Sequence, residues 1–299
     1  MFYNQTVLKK ILIGVLAIIV SSCNTKQDSA LISDKKQTEN DITIDSIPEI
    51  TEENHDMLMN TLFGKPKYSI KNIGILVYDD TNSLDVMGPR HVLGQILSAK
   101  TQFIGMKPGT FKTTDGVEIV VDAVIDSINQ LDILIIPGGF QGTIKNVYDK
   151  KLHEWIRKID ENSVYTASVC TGAWVLGATG LLKNKKATTH WYKAEEVLEK
   201  YGAQYVNKRY VKDGKYWTSA GVTAGMDMSL AMMYEILGKN YTEGVMLDME
   251  YDPKPPIEGG TPEKTGFVMK YMMEAMYDAG VEPLIDSLEQ VKKTSENLL

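Results

Sequence analysis

The chain has 299 residues, of which 43% are hydrophobic and 24% are charged, and its formal net charge is −7. This composition is typical of a globular protein, and the length allows one large domain or two small ones. The acidic balance argues against a nucleic-acid partner, because proteins that bind nucleic acid present a basic face. Four scattered histidines and two cysteines offer no metal-ligand spacing, so no metal site is expected.

The N-terminus has the parts of an export signal. Two lysines precede residues 11–20, an apolar run too short to span a bilayer, and small residues then lead to Cys23. This order resembles the lipobox of bacterial lipoproteins; an ordinary signal peptide that contains a cysteine is the alternative. We expect residues 1–22 to be removed and a lipid on Cys23 to anchor the exported protein to a membrane, on its periplasmic or cell-surface side. Removal takes away two lysines and no acidic residue, so the mature net charge is −7 − 2 = −9.

A polar segment separates this signal from the folded part of the chain. Residues 23–68 are polar and acidic, show no sustained period, and predict a flexible tether with a short helix near residues 57–63. The pattern then changes to alternating apolar runs and amphipathic segments. We therefore expect one folded domain over residues 69–299.

Buried strands alternate with helices in this domain. Continuous apolar, β-branched runs predict the strands, and apolar residues at helical spacing predict the helices. The predicted strands are 72–78, 102–107, 116–122 (in a hairpin or at an edge), 131–139 and 163–169, with a later hairpin at Asp213-Gly214; the predicted helices start at Pro89, cover 152–159, follow Cys170 to about 181, cover 192–202 and 223–238, and flank 252–262. The alternation predicts an α/β fold, a mostly parallel sheet with helices on both faces in a flavodoxin-like three-layer sandwich.

Cys170 lies in the stretch "TASVCTGAW", between a predicted strand and a predicted helix. A strand, a cysteine, Thr-Gly and a helix form the arrangement of a nucleophile elbow, which holds its central residue in a strained conformation and exposes the side chain. The N-terminus of the following helix would favour the thiolate. A buried core cysteine is the alternative, because free cysteines are among the most buried residues. This segment alone supports a nucleophilic cysteine and a buried core cysteine equally.

Two further features fall at the edge of the predicted sheet where ligands of open parallel sheets bind, and a weaker candidate, His190, could lie near the elbow. Asp85 follows the first strand, and it could hold a water or exchange a proton, or be a turn or cap aspartate. Gly138 and Gly139 could turn backbone N–H groups towards a ligand, or form a plain tight turn. His190 is interpreted as a structural or wall histidine rather than a base.

Five longer stretches carry a family resemblance. They are "SLDVMGP" (83–89), "LDILIIPGG" (131–139), "SVCTGAWVLGATGLLKNKKATTHW" (168–191), "GVTAGMDMSLAM" (221–232) and "EYDPKPPIEGGTP" (250–262). On these residues the chain resembles the ThiJ/PfpI superfamily, which has the class I glutamine amidotransferase-like fold, and within it the isocyanide hydratase subgroup. The resemblance runs from about residue 71 to residue 262.

The resemblance implies a reaction and a site. It implies that Cys170 is the nucleophile, that Asp85 is the acid/base that positions water, and that Thr171 contacts the substrate or the acid. Backbone N–H groups of Gly139 and Thr171 would line an anion-stabilising pocket. The implied reaction is hydration of a small-molecule isocyanide to an N-substituted formamide, without a metal or organic cofactor. Members of the superfamily are commonly dimers, so we expect a homodimer, in which the apolar segment 271–285 could pack on the second subunit.

Two other functions compete with this reading. The first is a non-catalytic ligand-binding or sensing module, since similar domains form the sensor half of some transcription regulators; the C-terminal stretch here is too short for their helix-turn-helix half. The second is redox or carbonyl-stress defence through Cys170. An accessible cysteine of low pKa favours an enzyme or a defence protein, whereas a buried, inert one favours the binding module.

Overall fold

The computed structural model describes residue 51 and residues 53–296. A boundary between two units falls between Gly64 and Lys65. In the first unit, helix α1 spans His55–Phe63, so the short helix predicted inside the tether is confirmed. The predicted signal peptide, Cys23 and most of the predicted tether lie outside the described residues.

A seven-stranded sheet forms the centre of the second unit. Its order is β10-β11-β7-β6-β1-β2-β5, and every neighbouring pair is parallel except β10 with β11. Two separate two-stranded sheets are formed by β3 with β4 and by β8 with β9. The first is the hairpin predicted around residues 116–122. The strands are β1 Asn72–Val77, β2 Lys100–Gly105, β3 Thr110–Lys112, β4 Glu118–Val120, β5 Ala123–Val124, β6 Ile133–Ile136, β7 Tyr165–Val169, β8 Lys186–Ala187, β9 Gln204–Tyr205, β10 Tyr210–Asp213 and β11 Tyr216–Ser219.

Helices cover both faces of this sheet, as predicted for a three-layer α/β sandwich. Buried side chains of α2, α7 and α8 pack on one face, and those of α4, α5 and α6 pack on the other. The helices are α2 Ser83–Leu93, α3 Gln141–Val147, α4 Lys150–Asn162, α5 Gly172–Ala178, α6 Ala194–Lys200, α7 Ala224–Leu237, α8 Lys239–Asp248 and α9 Phe267–Glu296. Among the described residues, no helix is both long enough and apolar enough to cross a bilayer.

The first helix of the second unit begins earlier than the sequence predicted. The prediction placed Pro89 in its first turn, but α2 starts at Ser83 and Pro89 lies inside it. The Asn82 side chain caps this helix, because its Oδ1 accepts hydrogen bonds from the N–H groups of Leu84 at 3.0 Å and Asp85 at 3.3 Å. Asp85 therefore lies in a helical first turn and not in a loop.

Strand register brings the predicted site residues together. Strands β6 and β7 are parallel neighbours with Ile136 opposite Ser168, so residues 138 and 170 leave the same edge of the sheet side by side. Strand β1 lies on the other side of β6, and the chain leaves it towards α2 and Asp85. This edge is the carboxyl end of the parallel strands, where α/β sheets bind ligands.

Close packing of helix α5 on the sheet depends on Gly172. A Cβ atom there would lie 2.1 Å from the backbone oxygen of Ile136, which cannot move without breaking the strand. We expect Gly172→Ala to lower the free energy of unfolding by about 3 kcal/mol, measured by urea denaturation. The matched control is Gly244→Ala in helix α8, where a Cβ meets open space and is expected to raise stability by up to about 1 kcal/mol. Equal unfolding midpoints for the two variants would contradict this account.

Candidate active site

Cys170 has the backbone conformation that the elbow pattern predicted. Its φ of +59° lies in the left-handed region, which a non-glycine residue adopts only under constraint. The constraint comes from both sides: its N–H donates to the Ser219 carbonyl at 3.0 Å, and its carbonyl accepts from the Thr189 hydroxyl at 2.9 Å. The side chain is less open than predicted, since only 6% of the residue's surface is exposed.

Asp85 lies fully buried behind this elbow. Its Oδ2 accepts a hydrogen bond from the Gly138 N–H at 3.0 Å, while Oδ1 has no hydrogen-bond partner among the described residues. Burial raises the pKa of Asp85 to about 7; the Gly138 amide and the Cys170 thiol act in the opposite direction. This carboxyl can therefore either hold or release a proton near neutral pH.

The thiol of Cys170 is coupled to that carboxyl. Burial raises the pKa of Cys170 well above its usual range, and the nearby charge of Asp85 raises it further, whereas hydrogen bonding to Thr171 lowers it. The sequence led us to expect a thiolate at rest, favoured by the following helix; desolvation and the carboxyl outweigh that effect. A resting thiol next to a carboxylate makes a pair that shares one proton.

Gly138 and Gly139 hold the acid and the elbow together. The Gly138 N–H is bound to Asp85, and the Gly139 N–H donates to Thr171 Oγ1 at 3.0 Å. The amides that the sequence suggested as free donors for a ligand are thus engaged within the protein. A Cβ on Gly138 would lie 2.6 Å from the Thr171 backbone nitrogen and 2.9 Å from Asp85 Oδ2, so only glycine allows this approach.

Thr171 belongs to a buried hydroxyl network that the sequence did not reveal. Its Oγ1 donates to the Gly139 carbonyl at 2.9 Å and lies 3.3 Å from the Thr143 hydroxyl. Tyr78 extends the network, since its hydroxyl lies 2.8 Å from Thr143 and 2.6 Å from the Pro137 carbonyl. The structure therefore places Thr171 where it fixes the loop beside the acid.

A cavity of about 230 Å³ opens next to the cysteine. Cys170, Thr171, Gly139 and His190 contribute to its lining; Asp85 is not a lining residue, but its carboxyl interacts with the Cys170 thiol. Among the residues that the structure describes, no charged side chain lines this cavity. The other lining residues are Asn82, Thr114, Phe140, Ile144, Trp174, Tyr192, Val222, Tyr277 and Val281. Such a lining suits a small, uncharged, partly apolar ligand. Among the described residues, no group of three potential ligands could hold a metal ion.

His190 is a wall residue of this cavity. Burial lowers its pKa to about 4, so the imidazole is neutral at pH 7. A Cβ on Gly221 would lie 3.8 Å from the His190 ring and 4.0 Å from Cys170 Sγ, which places both side chains around one glycine. The geometry agrees with the wall role that the sequence favoured over a base.

One face of helix α9 also reaches the cavity. Tyr277 and Val281 line it, although the sequence suggested that segment 271–285 could pack on a second subunit. Other apolar side chains of the helix, among them Phe267 and Tyr271, are exposed. The segment therefore packs partly on its own chain, which local sequence could not indicate.

The buried carboxyl should make stability depend on pH. Below pH 3.8, the ordinary pKa of an aspartate, Asp85 is protonated in both folded and unfolded chains and folding carries no penalty. Between pH 3.8 and about 7 only the unfolded chain ionises, so stability falls as pH rises. The full cost above pH 7 is about 4 kcal/mol, from roughly three pKa units at 1.36 kcal/mol each.

Asp85→Asn should remove this dependence. The free energy of unfolding, measured with urea, is compared between the variant and the wild type at pH 5 and at pH 8. From pH 5 to pH 8 this difference should shift by about 2 to 4 kcal/mol in favour of the variant. The control is Asp126→Asn, an exposed carboxyl paired with Lys151, which should leave the difference unchanged. A variant that follows the wild-type pH curve would show that Asp85 is ionised without penalty.

The fold and this site agree with comparisons to known proteins. The DJ-1/PfpI family model matches residues 71–235, which include the elbow, Asp85 and His190. The chain belongs to the DJ-1/PfpI family.

Individual relatives differ in what they do. The isonitrile hydratase of Pseudomonas putida is 34% identical over 191 residues, which cover 64% of this chain and 83% of that protein. The HTH-type transcriptional regulator CdhR of Pseudomonas aeruginosa is 30% identical over 131 residues, which cover 44% of this chain and only 38% of the regulator. The family alone therefore does not decide between catalysis and sensing.

Solved structures show the same architecture. A ThiJ/PfpI family protein from Pseudomonas syringae superposes with a TM-score of 0.71 at 29% identity, covering 80% of this chain and 96% of that chain. Drosophila melanogaster DJ-1beta superposes with a TM-score of 0.55 at 21% identity, covering 60% of this chain and 98% of that chain, and shows the fold alone. The predicted family and fold are confirmed.

Proposed function

We propose that the protein is a cofactor-free, cysteine-dependent hydratase that converts small isocyanides into N-substituted formamides. One observation carries the proposal: Cys170 is held at positive φ on a cavity wall, beside a buried carboxyl with a free oxygen. A structural cysteine needs neither a strained backbone nor an adjacent carboxyl whose burial costs stability. The similarity to an isonitrile hydratase supports the same reaction.

The first half-reaction forms a covalent intermediate. The thiol of Cys170 gives its proton to Asp85, and the thiolate attacks the terminal carbon of R–N≡C, forming a C–S bond. The carbon then carries the electron pair and takes the proton from Asp85, which leaves a thioimidate, R–N=CH–S–Cys. A carboxyl with a pKa of about 7 can accept and return this proton at neutral pH.

The second half-reaction consumes one water. Asp85 takes a proton from the water as its oxygen adds to the thioimidate carbon, and this proton passes to the nitrogen. The tetrahedral adduct then collapses: the C–S bond breaks, the hydroxyl proton leaves, and R–NH–CHO departs while the sulfur is reprotonated. One water is added overall, and both side chains return to their starting states.

The cavity fits such a substrate. An isocyanide is uncharged, and none of the cavity's lining residues in the described part of the chain carries a charge. Aromatic and aliphatic side chains on its walls, including Phe140, Trp174 and Val222, offer an apolar surface for the R group. Charged substrates would lose their hydration without gaining a partner there.

The direct test is formamide production. The purified full-length chain is mixed with cyclohexyl or phenyl isocyanide, and the product is quantified by chromatography against a buffer blank. Turnover is the expected result. A chain that is folded and still lacks turnover with both isocyanides, but consumes a small aldehyde such as methylglyoxal, would replace this proposal with carbonyl-stress defence.

A ligand-binding module is the second candidate function. Two observations favour it: Cys170 is only 6% exposed, and a matching relative is a transcriptional regulator. This module would bind an apolar small molecule in the same cavity with no chemical change. Binding that persists unchanged in Cys170→Ser, together with no turnover in the wild type, would select it.

The lipid anchor and the homodimer stay predictions. We propose that the mature chain starts at Cys23, is held by a lipid to a membrane on its periplasmic or cell-surface side, and forms a homodimer. Metabolic labelling with a radioactive fatty acid should label the wild type and not Cys23→Ser. Light scattering of the purified protein should give twice the mass of one chain.

A further inference from the structure

His190 has a hydrogen-bond partner at each ring nitrogen. The Tyr192 backbone N–H lies 3.4 Å from Nδ1, and the Tyr277 hydroxyl lies 3.5 Å from Nε2. An amide N–H can only donate, so Nδ1 accepts and carries no proton. Since the buried imidazole is neutral, its single proton is on Nε2.

This tautomer fixes the role of the tyrosine hydroxyl. Nε2–H of His190 donates, so the oxygen of Tyr277 accepts, and the phenolic proton remains available. Within the described part of the chain this hydroxyl has no other hydrogen-bond partner. Tyr277 and Cys170 line the same cavity. Burial raises the pKa of Tyr277, and negative charge on Cys170 raises it further, so the two groups are within electrostatic range.

Packing holds the Tyr277 ring in place. It stacks on Tyr192 with ring centroids 5.0 Å apart, and it contacts Trp191 at 5.6 Å and Phe140 at 6.1 Å. Tyr192 is itself tied to helix α9, because its hydroxyl donates to Asp278 at 2.6 Å. A donor fixed in this way needs no reorganisation when charge develops on a ligand.

We propose that the Tyr277 hydroxyl donates a hydrogen bond to the substrate atom bonded to the carbon that Cys170 attacks, with His190 as its positioning residue. This inference rests on the proposed function, in which that atom is the nitrogen of the isocyanide and then of the thioimidate. The nitrogen gains electron density as water adds, so the hydrogen bond strengthens in the transition state. Tyr277 keeps its proton throughout. It lies in a helix beyond residues 71–235, which the family model matches.

Two variants of the full-length chain test the contact. Tyr277→Phe and Tyr271→Phe each remove one hydroxyl from helix α9, but Tyr271 is 64% exposed and does not line the cavity. For phenyl isocyanide, kcat/KM should fall about tenfold in Tyr277→Phe, mainly through kcat, and stay within about twofold in Tyr271→Phe. Equal activity in the two variants would overturn the proposal.

His190 gives a readout that needs no turnover. Long-range ¹H–¹⁵N NMR spectra distinguish the two tautomers, and the chain has only four histidines, so His190→Gln identifies the signal. The expected state is Nε2–H, with an Nε2 shift that changes in Tyr277→Phe and not in Tyr271→Phe. An Nδ1–H tautomer would overturn the proposal. If the NMR result holds while the wild type hydrates no isocyanide, the proposed substrate fails and the donor position of Tyr277 stands.

Discussion

Cys170→Ser should lower kcat/KM for isocyanide hydration by a factor of about 10⁴ or more, because the substitution removes the group that forms the covalent bond. Serine has nearly the same size and keeps the elbow intact, but its hydroxyl is a far weaker nucleophile and Asp85 is too weak a base to ionise it. Initial rates of formamide production at isocyanide concentrations well below KM measure the effect. Stability should change little, since the side chain stays buried and neutral.

The control for this variant is the chain's other cysteine. Cys23→Ser removes a thiol that lies outside the described residues, and it should leave the rate of formamide formation unchanged. Comparable turnover in Cys170→Ser and the wild type would show that hydration does not pass through the sulfur. The cavity would then have to act on water without a nucleophile.

Asp85→Asn should lower kcat by a factor of about 10³, since one side chain moves the proton in both half-reactions. Asparagine can still accept the hydrogen bond from Gly138, so the loop should keep its shape. The same variant is expected to be more stable than the wild type at pH 8, because the cost of a buried carboxylate is gone. Loss of activity together with gain of stability marks a residue kept for function.

Asp126→Asn serves again as the control, because this carboxyl is exposed, pairs with Lys151 and does not line the cavity. It should change neither kcat nor stability measurably. An Asp85→Asn variant that is both fully active and more stable would show that the carboxyl plays no part in proton transfer. An inactive and less stable variant would point to a structural role.

The elbow was predictable because its signal is local. A buried strand, a cysteine and Thr-Gly follow one another within a few residues, and a helix begins at once at Gly172. Parallel order followed from apolar runs that alternate with helical segments. The sequence left the burial of Cys170 open, since burial depends on tertiary packing; the cavity beside it is lined by residues as distant in the chain as Asn82 and Tyr277.

The sequence placed Asp85 near the elbow, as the structure does, but it placed the residue in a loop before the helix and not in the first helical turn. Pro89 suggested a helix start, but the Asn82 cap was the better signal, because an asparagine that caps N–H groups two and three residues on sets the first turn. Burial raises the pKa of Asp85, against the opposing hydrogen bonds of the Gly138 amide and the Cys170 thiol, and that burial comes from tertiary packing. The spacing of these residues in the sequence does not show how closely they pack around Asp85.

The cavity wall was the least predictable part of the site. The sequence suggested that the helix of Tyr277 could pack on a second subunit. In the structure, Tyr277 packs against Phe140 and Tyr192 and lines the cavity. Likewise, the sequence left open whether Gly138 and Gly139 donate to a ligand or form a tight turn, and the structure shows their amides bound to Asp85 and Thr171. Such pairings depend on tertiary contacts between segments that are far apart in the chain.

The central claim is that Cys170 forms a covalent thioimidate, and rapid-quench mass spectrometry tests it most directly. The full-length chain is mixed with an isocyanide, acid-quenched over a series of times, and digested. The account predicts a transient peptide containing Cys170 whose mass increases by that of one isocyanide, and which decays as formamide appears. Formamide formed at the full rate with this peptide unmodified throughout, and at the same rate by Cys170→Ser, would contradict it.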